Sequence, residues 1–136
     1  MRSKRNWRQD WQQRARSGAA AVEFAIVLPI FLMILFGIIQ FGSVLFLHNN
    51  MVNAAREAAR RMSVDASFSQ AEAQTYAENY LSDWNLTFSV TATPAAVPNG
   101  DVSVQITVPA ADAALVNFPI AWPGNLVAQA TMRSES

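Results

Sequence analysis

The fold is decided by one long apolar segment, AAAVEFAIVLPIFLMILFGIIQFGSVLFL, which runs from Ala19 to Leu47. Its only clearly polar members are Glu23, Gln40 and Ser43. A helix needs about 20 apolar residues to cross a bilayer, and the stretch from residue 24 to residue 47 already exceeds this. A cleaved secretory signal has a shorter apolar core, about 7 to 15 residues, so the segment predicts a helix that stays in the membrane.

Charge is distributed unevenly around this segment, although the net charge of the chain is zero. The residues between Met62 and Met132 include acids but no Lys or Arg. The residues before Gly18 include Asp10 and six basic side chains: Arg2, Lys4, Arg5, Arg8, Arg14 and Arg16. A basic flank marks the cytoplasmic side of a membrane helix. We therefore predict a solvated, unstructured cytoplasmic tail over residues 1–17, close to anionic headgroups, and a C-terminal part outside the cytoplasm.

The helix is expected to continue beyond the apolar segment. The stretch HNNMVNAAREAARRM, residues 48–62, has no Pro or Gly and is rich in the helix formers Ala and Arg. Glu57 precedes Arg61 by four residues, the favourable order for an ion pair on a helix. One apolar face is formed by Met51, Ala55, Ala58 and Met62. The pattern predicts one helix from near Ala19 to near Met62, whose outer part is an amphipathic stalk.

A second, shorter helix is predicted after the stalk. Ser69, with Glu72 three residues later, has the sequence pattern of a capping box at a helix N-terminus. Apolar residues then recur at helical spacing, which is typical of a face packed in a core and not of a ligand site. They are Ala73, Tyr76, Ala77, Tyr80, Leu81 and Trp84.

Three strands complete the predicted fold, because apolar and polar residues alternate over residues 86–92, 102–108 and 126–132. The sequence PAAVPNGD between the first two strands contains Asn-Gly turn chemistry. The long loop Pro109 to Asn125 is a candidate partner contact. The expected class is α+β: a transmembrane helix over 18–48 and an extracytoplasmic domain over 49–136 that includes the stalk, a short helix and a three-stranded antiparallel sheet.

The residue types needed for catalysis are scarce in this chain. It has no Cys, no glycine-rich phosphate loop and no cluster of metal ligands. The single histidine, His48, lies at the outer membrane border, where an interfacial or solvated side chain is a simpler interpretation than a catalytic base. We therefore expect neither an enzyme nor a bound cofactor or metal, and no nucleic-acid partner.

Glu23 is the one ionisable residue in the apolar segment, and such residues usually have a function. Two interpretations follow from the sequence alone. The carboxylate could meet a positive charge on a neighbouring molecule. Alternatively, it could be a hydrated group at the headgroup boundary, in the first turns of the helix, where the helix dipole favours a negative charge.

The sequence GAAAVEF, residues 18–24, resembles the class III signal of type IV pilins and pseudopilins. More narrowly, GAAAVEFAIVLP, the later NAAREAAR and the final ATMRSE look like the TadE-like family of tight adherence (Tad) pilus assembly proteins. The resemblance implies a pseudopilin-like, single-pass protein of the bacterial inner membrane. The resemblance also implies its partners: pilin-like or TadE-like subunits and the Tad secretion machinery.

The same resemblance implies roles for residues near the membrane entry. A prepilin peptidase would cut after Gly18 and expose the amine of Ala19, which the Glu23 carboxylate of a neighbouring subunit would attract. The processing and assembly residues would be Gly18, Ala19, Glu23, Phe24 and Pro29. The competing hypothesis is an unprocessed, signal-anchored envelope protein whose outer domain binds another partner.

The charge distribution gives a testable topology. Because the basic residues hold the tail in the cytoplasm, the C-terminus should lie outside. A reporter enzyme that works only outside the cytoplasm should therefore be active when it is fused after Ser136. Replacing the six basic residues before Gly18 with Gln should weaken this orientation. A fused reporter active only in the cytoplasm would contradict the prediction.

Overall fold

The computed structural model describes residues 7–65, 67–97, 99–113 and 123–135, with side chains from Gly18 onward. In chain order the elements are helix α1 (Trp7–Val64), helix α2 (Gln70–Tyr80), a single 3₁₀ turn (Ser82–Trp84), and strands β1 (Ser89–Thr93), β2 (Asp101–Pro109) and β3 (Asn125–Arg133). This is the predicted α+β arrangement of a long apolar helix, a short helix and a three-stranded antiparallel sheet.

Helix α1 begins earlier than expected. We predicted a start near Ala19 after an unstructured tail, but the helix starts at Trp7, so the prediction is wrong for residues 7–17. These residues contain no Pro or Gly and are rich in Gln and Arg, which are good helix formers. Adding residues to an existing helix avoids the cost of nucleation. Residues 1–6 and the side chains of the basic tail lie outside the described residues.

The chain divides into two units, Met1–Ile39 and Gln40–Ser136. In the first unit, the described side chains belong to α1, and all but the half-buried Leu28 are exposed. The second unit has a hydrophobic core made by the outer part of α1, by α2 and by the sheet. Burial along α1 begins at Gln40 and includes Val44 and Leu47.

The sheet has the order β1-β2-β3, and both pairings are antiparallel. Val104 on the central strand lies between Ala92 and Ala130, and all three are buried. The predicted alternation is confirmed for β2, whose buried residues are Val102, Val104, Ile106 and Val108. The first strand starts later than predicted, at Ser89. The left-handed Asn85 ends the 3₁₀ turn, and residues 85–88 are irregular.

The stalk contributes its predicted apolar face to the core. The predicted residues Met51, Ala55, Ala58 and Met62 are all buried, and Ala54 and Ala59 join them. Alanines at the centre of the face allow the helix backbone to come close to its neighbours. Beside this face, Arg61 Nε donates to Glu57 Oε1 at 3.1 Å, which confirms the predicted ion pair.

Helix α2 starts with the predicted capping box. The Ser69 backbone N–H donates to Glu72 Oε2 at 2.7 Å, and the Glu72 backbone N–H donates to Ser69 Oγ at 3.3 Å. Ala73, Ala77 and Leu81 are buried as predicted. Tyr80 is an exception: its side chain is 46% exposed and stacks beside Tyr76, with 6.4 Å between the ring centroids. The centre of the buried face is the line Ala73, Ala77 and Leu81, and the two tyrosines lie at its edge.

Each edge of the sheet is covered by a side chain from a helix. Gln74 Nε2 of α2 donates to the Val90 carbonyl of β1 at 3.2 Å. His48 Nε2 of α1 lies 3.3 Å from the Val127 carbonyl of β3, a bond in which the ring nitrogen donates. Unpaired edge groups invite association with other strands, so these two bonds protect the sheet. His48 is half-buried and its bond to Val127 lies at the surface, a contact with the sheet that the sequence did not predict.

The β1–β2 connection contains the expected Asn-Gly turn. Asn99 has a positive φ of 59°, and the Gly100 N–H donates to the Val97 carbonyl at 2.9 Å. A Cβ at Gly100 would lie 2.8 Å from the Val97 oxygen, so only glycine fits there. Residues 114–122, most of the loop that we predicted as a partner contact, lie outside the described residues.

Overpacking the stalk face should destabilise the outer domain. Ala55 is fully buried, so Ala55→Leu would add atoms to a filled core and should lower the free energy of unfolding by about 1–3 kcal/mol. The matched control is Asn53→Leu on the exposed side of the same helix, which should change stability by less than about 0.5 kcal/mol. Denaturant unfolding in detergent compares the two variants. Equal effects would contradict the assigned helix face.

The capping box should also contribute to acid sensitivity. Backbone and side-chain hydrogen bonds from Ser69 lower the pKa of Glu72 below its ordinary value of 4.5. A depressed folded-state pKa stabilises the fold above the unfolded-state value, and this contribution is lost as the pH falls through the folded-state value. Glu72→Gln can still cap the helix but cannot titrate. The variant should lose less thermal stability than wild type between about pH 5 and pH 3; an equal loss would contradict this account.

Candidate processing and assembly segment

Gly18 and Ala19 lie inside helix α1, and both are exposed. A Cβ built on Gly18 would meet no atom within 4 Å, so packing does not require glycine at this position. The φ of Gly18 is not in the left-handed region either. Neither the local space nor the backbone conformation explains this glycine.

Glu23 lies four residues after Ala19, so the two residues share one face of α1 and are separated by a rise of about 6 Å. The carboxylate is exposed, and no ion pair to it occurs among the described side chains, which start at Gly18. The segment therefore presents a charge on a helix whose surroundings are otherwise apolar. Since no described side chain pairs with it, this carboxylate is accessible to solvent, to lipid headgroups and to other molecules.

The start of α1 at Trp7 argues against the interpretation that the helix dipole favours a negative charge at Glu23. The favourable effect of a helix dipole on a carboxylate falls off within the first turn. In the intact chain Glu23 lies more than four turns from the helix start, so the dipole does not account for it. Cleavage after Gly18 would shorten the helix and bring Glu23 close to the new N-terminus.

Phe24 and Pro29 lie on the exposed surface of the same helix. Phe24 follows Glu23 directly and is 63% exposed. Pro29 has no N–H to donate to the carbonyl of Ala25, yet the helix continues through it. Membrane helices tolerate such a defect when neighbouring groups satisfy the freed carbonyl. The structure thus places all five predicted site residues, from Gly18 to Pro29, on one exposed helical segment.

The rest of this segment carries large apolar side chains, and most of them are exposed. Those exposed in the first unit are Val22, Phe24, Ile26, Val27, Ile30, Phe31, Leu32, Met33, Ile34, Leu35, Phe36, Ile38 and Ile39. Within the described residues, one helix, Gly18–Val64, is long and apolar enough to cross a membrane. Such a surface is compatible with a single-pass membrane anchor, because its apolar groups need lipid or other helices around them.

The acidic side chains and the histidine of the second unit are residue types that could bind a metal ion. Among the residues that the structure describes, no group of three or more His, Asp or Glu side chains could hold a metal ion. The Asp65 carboxylate accepts hydrogen bonds from the Ser67 hydroxyl and backbone, which lower its pKa. Both residues are exposed at the end of the stalk, so this bond shapes a turn.

Two contacts between α1 and the following segment were missed by the sequence analysis. The Arg61 guanidinium lies over the Tyr76 ring, 4.0 Å from its centroid, and so joins the stalk to α2. Phe46 packs against Trp84, with 5.6 Å between the ring centroids. Helical periodicity predicted that Tyr76 and Trp84 belong to a packed face, but it cannot identify their partners.

The fold and the exposed segment together define a class: an α+β protein whose long N-terminal helix can serve as a single membrane anchor. Residues 18–60 match the family model described as TadE-like protein, which confirms the resemblance predicted from the sequence. The match includes the apolar segment and most of the stalk, about a third of the chain. The family suggests an association with a Tad pilus system in general. No curated protein and no solved structure matches the chain.

Proposed function

We propose that this protein is a membrane-anchored, pseudopilin-like subunit that assists the assembly or initiation of a bacterial Tad-type adhesive pilus. In this proposal the chain crosses the inner membrane once, with its N-terminus in the cytoplasm and its C-terminal domain outside. Its partners are other pilin-like or TadE-like subunits, the Tad secretion machinery and a prepilin peptidase. The protein acts by association and not by catalysis.

The observation that carries the proposal is the position of Glu23. The carboxylate lies on an exposed face of an apolar helix, one turn beyond Ala19, in the segment where the family match begins. Lipid alone gives packed apolar helices little specificity. A charge on such a helix can fix the register between subunits, because opposite charges attract strongly in surroundings of low dielectric.

Peptidase cleavage would supply the opposite charge. Before cleavage, the nitrogen of Ala19 is a neutral amide inside α1. After cleavage between Gly18 and Ala19, the same nitrogen becomes a positively charged amine at the start of the remaining helix. The Glu23 carboxylate of an adjacent subunit can then pair with it. Processing would in this way control assembly, since the uncut chain has no amine at this position.

A second candidate function is an unprocessed envelope protein whose outer domain binds another partner. The observation that favours it is the continuous helix through Gly18, which runs eleven residues further towards the N-terminus. A peptidase must gain access to the backbone there, so the helix would have to open locally. N-terminal sequencing of the protein purified from its native membrane separates the two functions: processing gives Ala19 as the first residue.

Glu23→Gln tests the assembly role. The substitution keeps nearly the same shape and removes the charge, so membrane insertion should be unchanged while co-purification with pilin-like subunits and surface piliation fall. Glu57→Gln is the matched control: it removes a carboxylate from the same helix, in a pair with Arg61 that is worth only about 0–1 kcal/mol. This control should retain wild-type association and piliation.

Gly18→Ala tests the other half of the proposed pair, the amine of Ala19. If the peptidase requires glycine, the variant keeps its leader, Ala19 gains no amine, and the assembly defect should match that of Glu23→Gln. Combining both substitutions should add little, because each removes one half of a single pair. Normal piliation in both single variants would exclude an assembly role for Glu23 and favour a function in the outer domain.

A further inference from the structure

The membrane-spanning segment and the core of the outer domain overlap on helix α1. The apolar segment ends at Leu47, but the core already includes Val44 and Leu47, which are 8% and 1% exposed. On the opposite side of the same turn, Leu45 and Phe46 are 49% and 62% exposed. This last turn of the segment therefore faces the protein core on one side and the surroundings on the other.

Two parts of the outer domain contact α1 close to Leu47. The Trp84 ring packs against Phe46, with 5.6 Å between the centroids. The Val127 carbonyl lies 3.3 Å from His48 Nε2, and the Val127 side chain is 42% exposed. We call the four residues Leu45, Phe46, Trp84 and Val127 the boundary surface. If the anchor reaches Leu47, this surface lies at the depth of the outer headgroups.

The chemistry of the boundary surface suits that depth. Tryptophan is enriched at membrane interfaces, because its ring is apolar and its N–H can bond to water or headgroups. Trp84 is partly exposed, and its neighbours Asp83 and Asn85 are fully exposed and polar. The described residues 82–88 and 109–113 include no Lys or Arg. A contact of these residues with lipid would therefore depend on apolar and aromatic groups and not on attraction to anionic headgroups.

We propose that the outer domain rests on the lipid surface through the boundary surface, with Trp84 inserted among the headgroups. This inference rests on the membrane anchor in the proposed function and adds a lipid contact by the domain itself. It implies that the domain does not tilt freely relative to the bilayer. A subunit held in one orientation at the bilayer presents the same sides to its neighbours each time.

The absence of Cys makes the test direct, because one introduced thiol is then the only labelling site. Three small exposed residues of the full-length chain are replaced separately: Ser82→Cys beside Trp84, Ala25→Cys in the apolar segment, and Ala96→Cys in the β1–β2 connection at the other end of the sheet. Each carries a nitroxide label in phosphatidylcholine vesicles. Collision rates are measured with oxygen, which concentrates in lipid, and with a nickel chelate, which stays in water.

The Ser82 label should collide with the nickel chelate several-fold less often than the Ala96 label, while the Ala25 label is reached mainly by oxygen. Adding anionic lipid should not increase the protection at Ser82. Trp84→Ala should move the Ser82 label towards water, whereas Trp84→Tyr, which keeps an interfacial aromatic ring, should preserve the protection. The Ala25 label should be unaffected by either substitution, which shows that the anchor is intact.

Two contrary results have different meanings. If the Ser82 and Ala96 labels are equally accessible to nickel while the Ala25 label lies in lipid, the domain stands clear of the bilayer and this inference is wrong. The membrane anchor would then end nearer to Gln40. If the Ala25 label is also accessible to nickel, the chain has no membrane anchor, and the proposed function fails together with the inference.

Discussion

The structure depends on one constraint: a single helix has to satisfy two different environments along its length. From Val22 to Ile39 most side chains of α1 are large, apolar and exposed, as lipid or other helices require. Beyond Gln40 one face is buried in the domain core and is dominated by small alanines at 54, 55, 58 and 59. The sheet needs this close helix, because three strands with one apolar face cannot remain uncovered in water.

This constraint also explains why Glu23 is informative. In the outer domain, polar groups at sensitive places have partners within the chain: Ser69 pairs with Glu72, and His48 and Gln74 cover the sheet edges. Among the side chains that the structure describes, Glu23 has no such partner, although a charge in an apolar setting is costly. Its carboxylate is therefore accessible to solvent, to headgroups or to another molecule.

Much of this fold could be predicted from local patterns, because those patterns report local physics. The capping box, the alternation of β2 and the apolar face of the stalk each depend on residues close in sequence, and all were confirmed. The errors and omissions arose where distant contacts or chain continuity decide the outcome. His48 bonds to a strand 79 residues away, and α1 extends to Trp7 because it grows from an established helix. The candidate processing and assembly residues stay predictions from the sequence, and the structure adds that they are exposed on α1.

The extent of the family match follows from the same physics. The match covers residues 18–60, where nearly every position of α1 must suit lipid, a neighbouring helix or a close-packed core. The sheet must only alternate apolar and polar residues, a requirement that many sequences meet with little loss of stability. A match that is confined to α1 agrees with these unequal demands, because the helix restricts its residues more tightly than the sheet does.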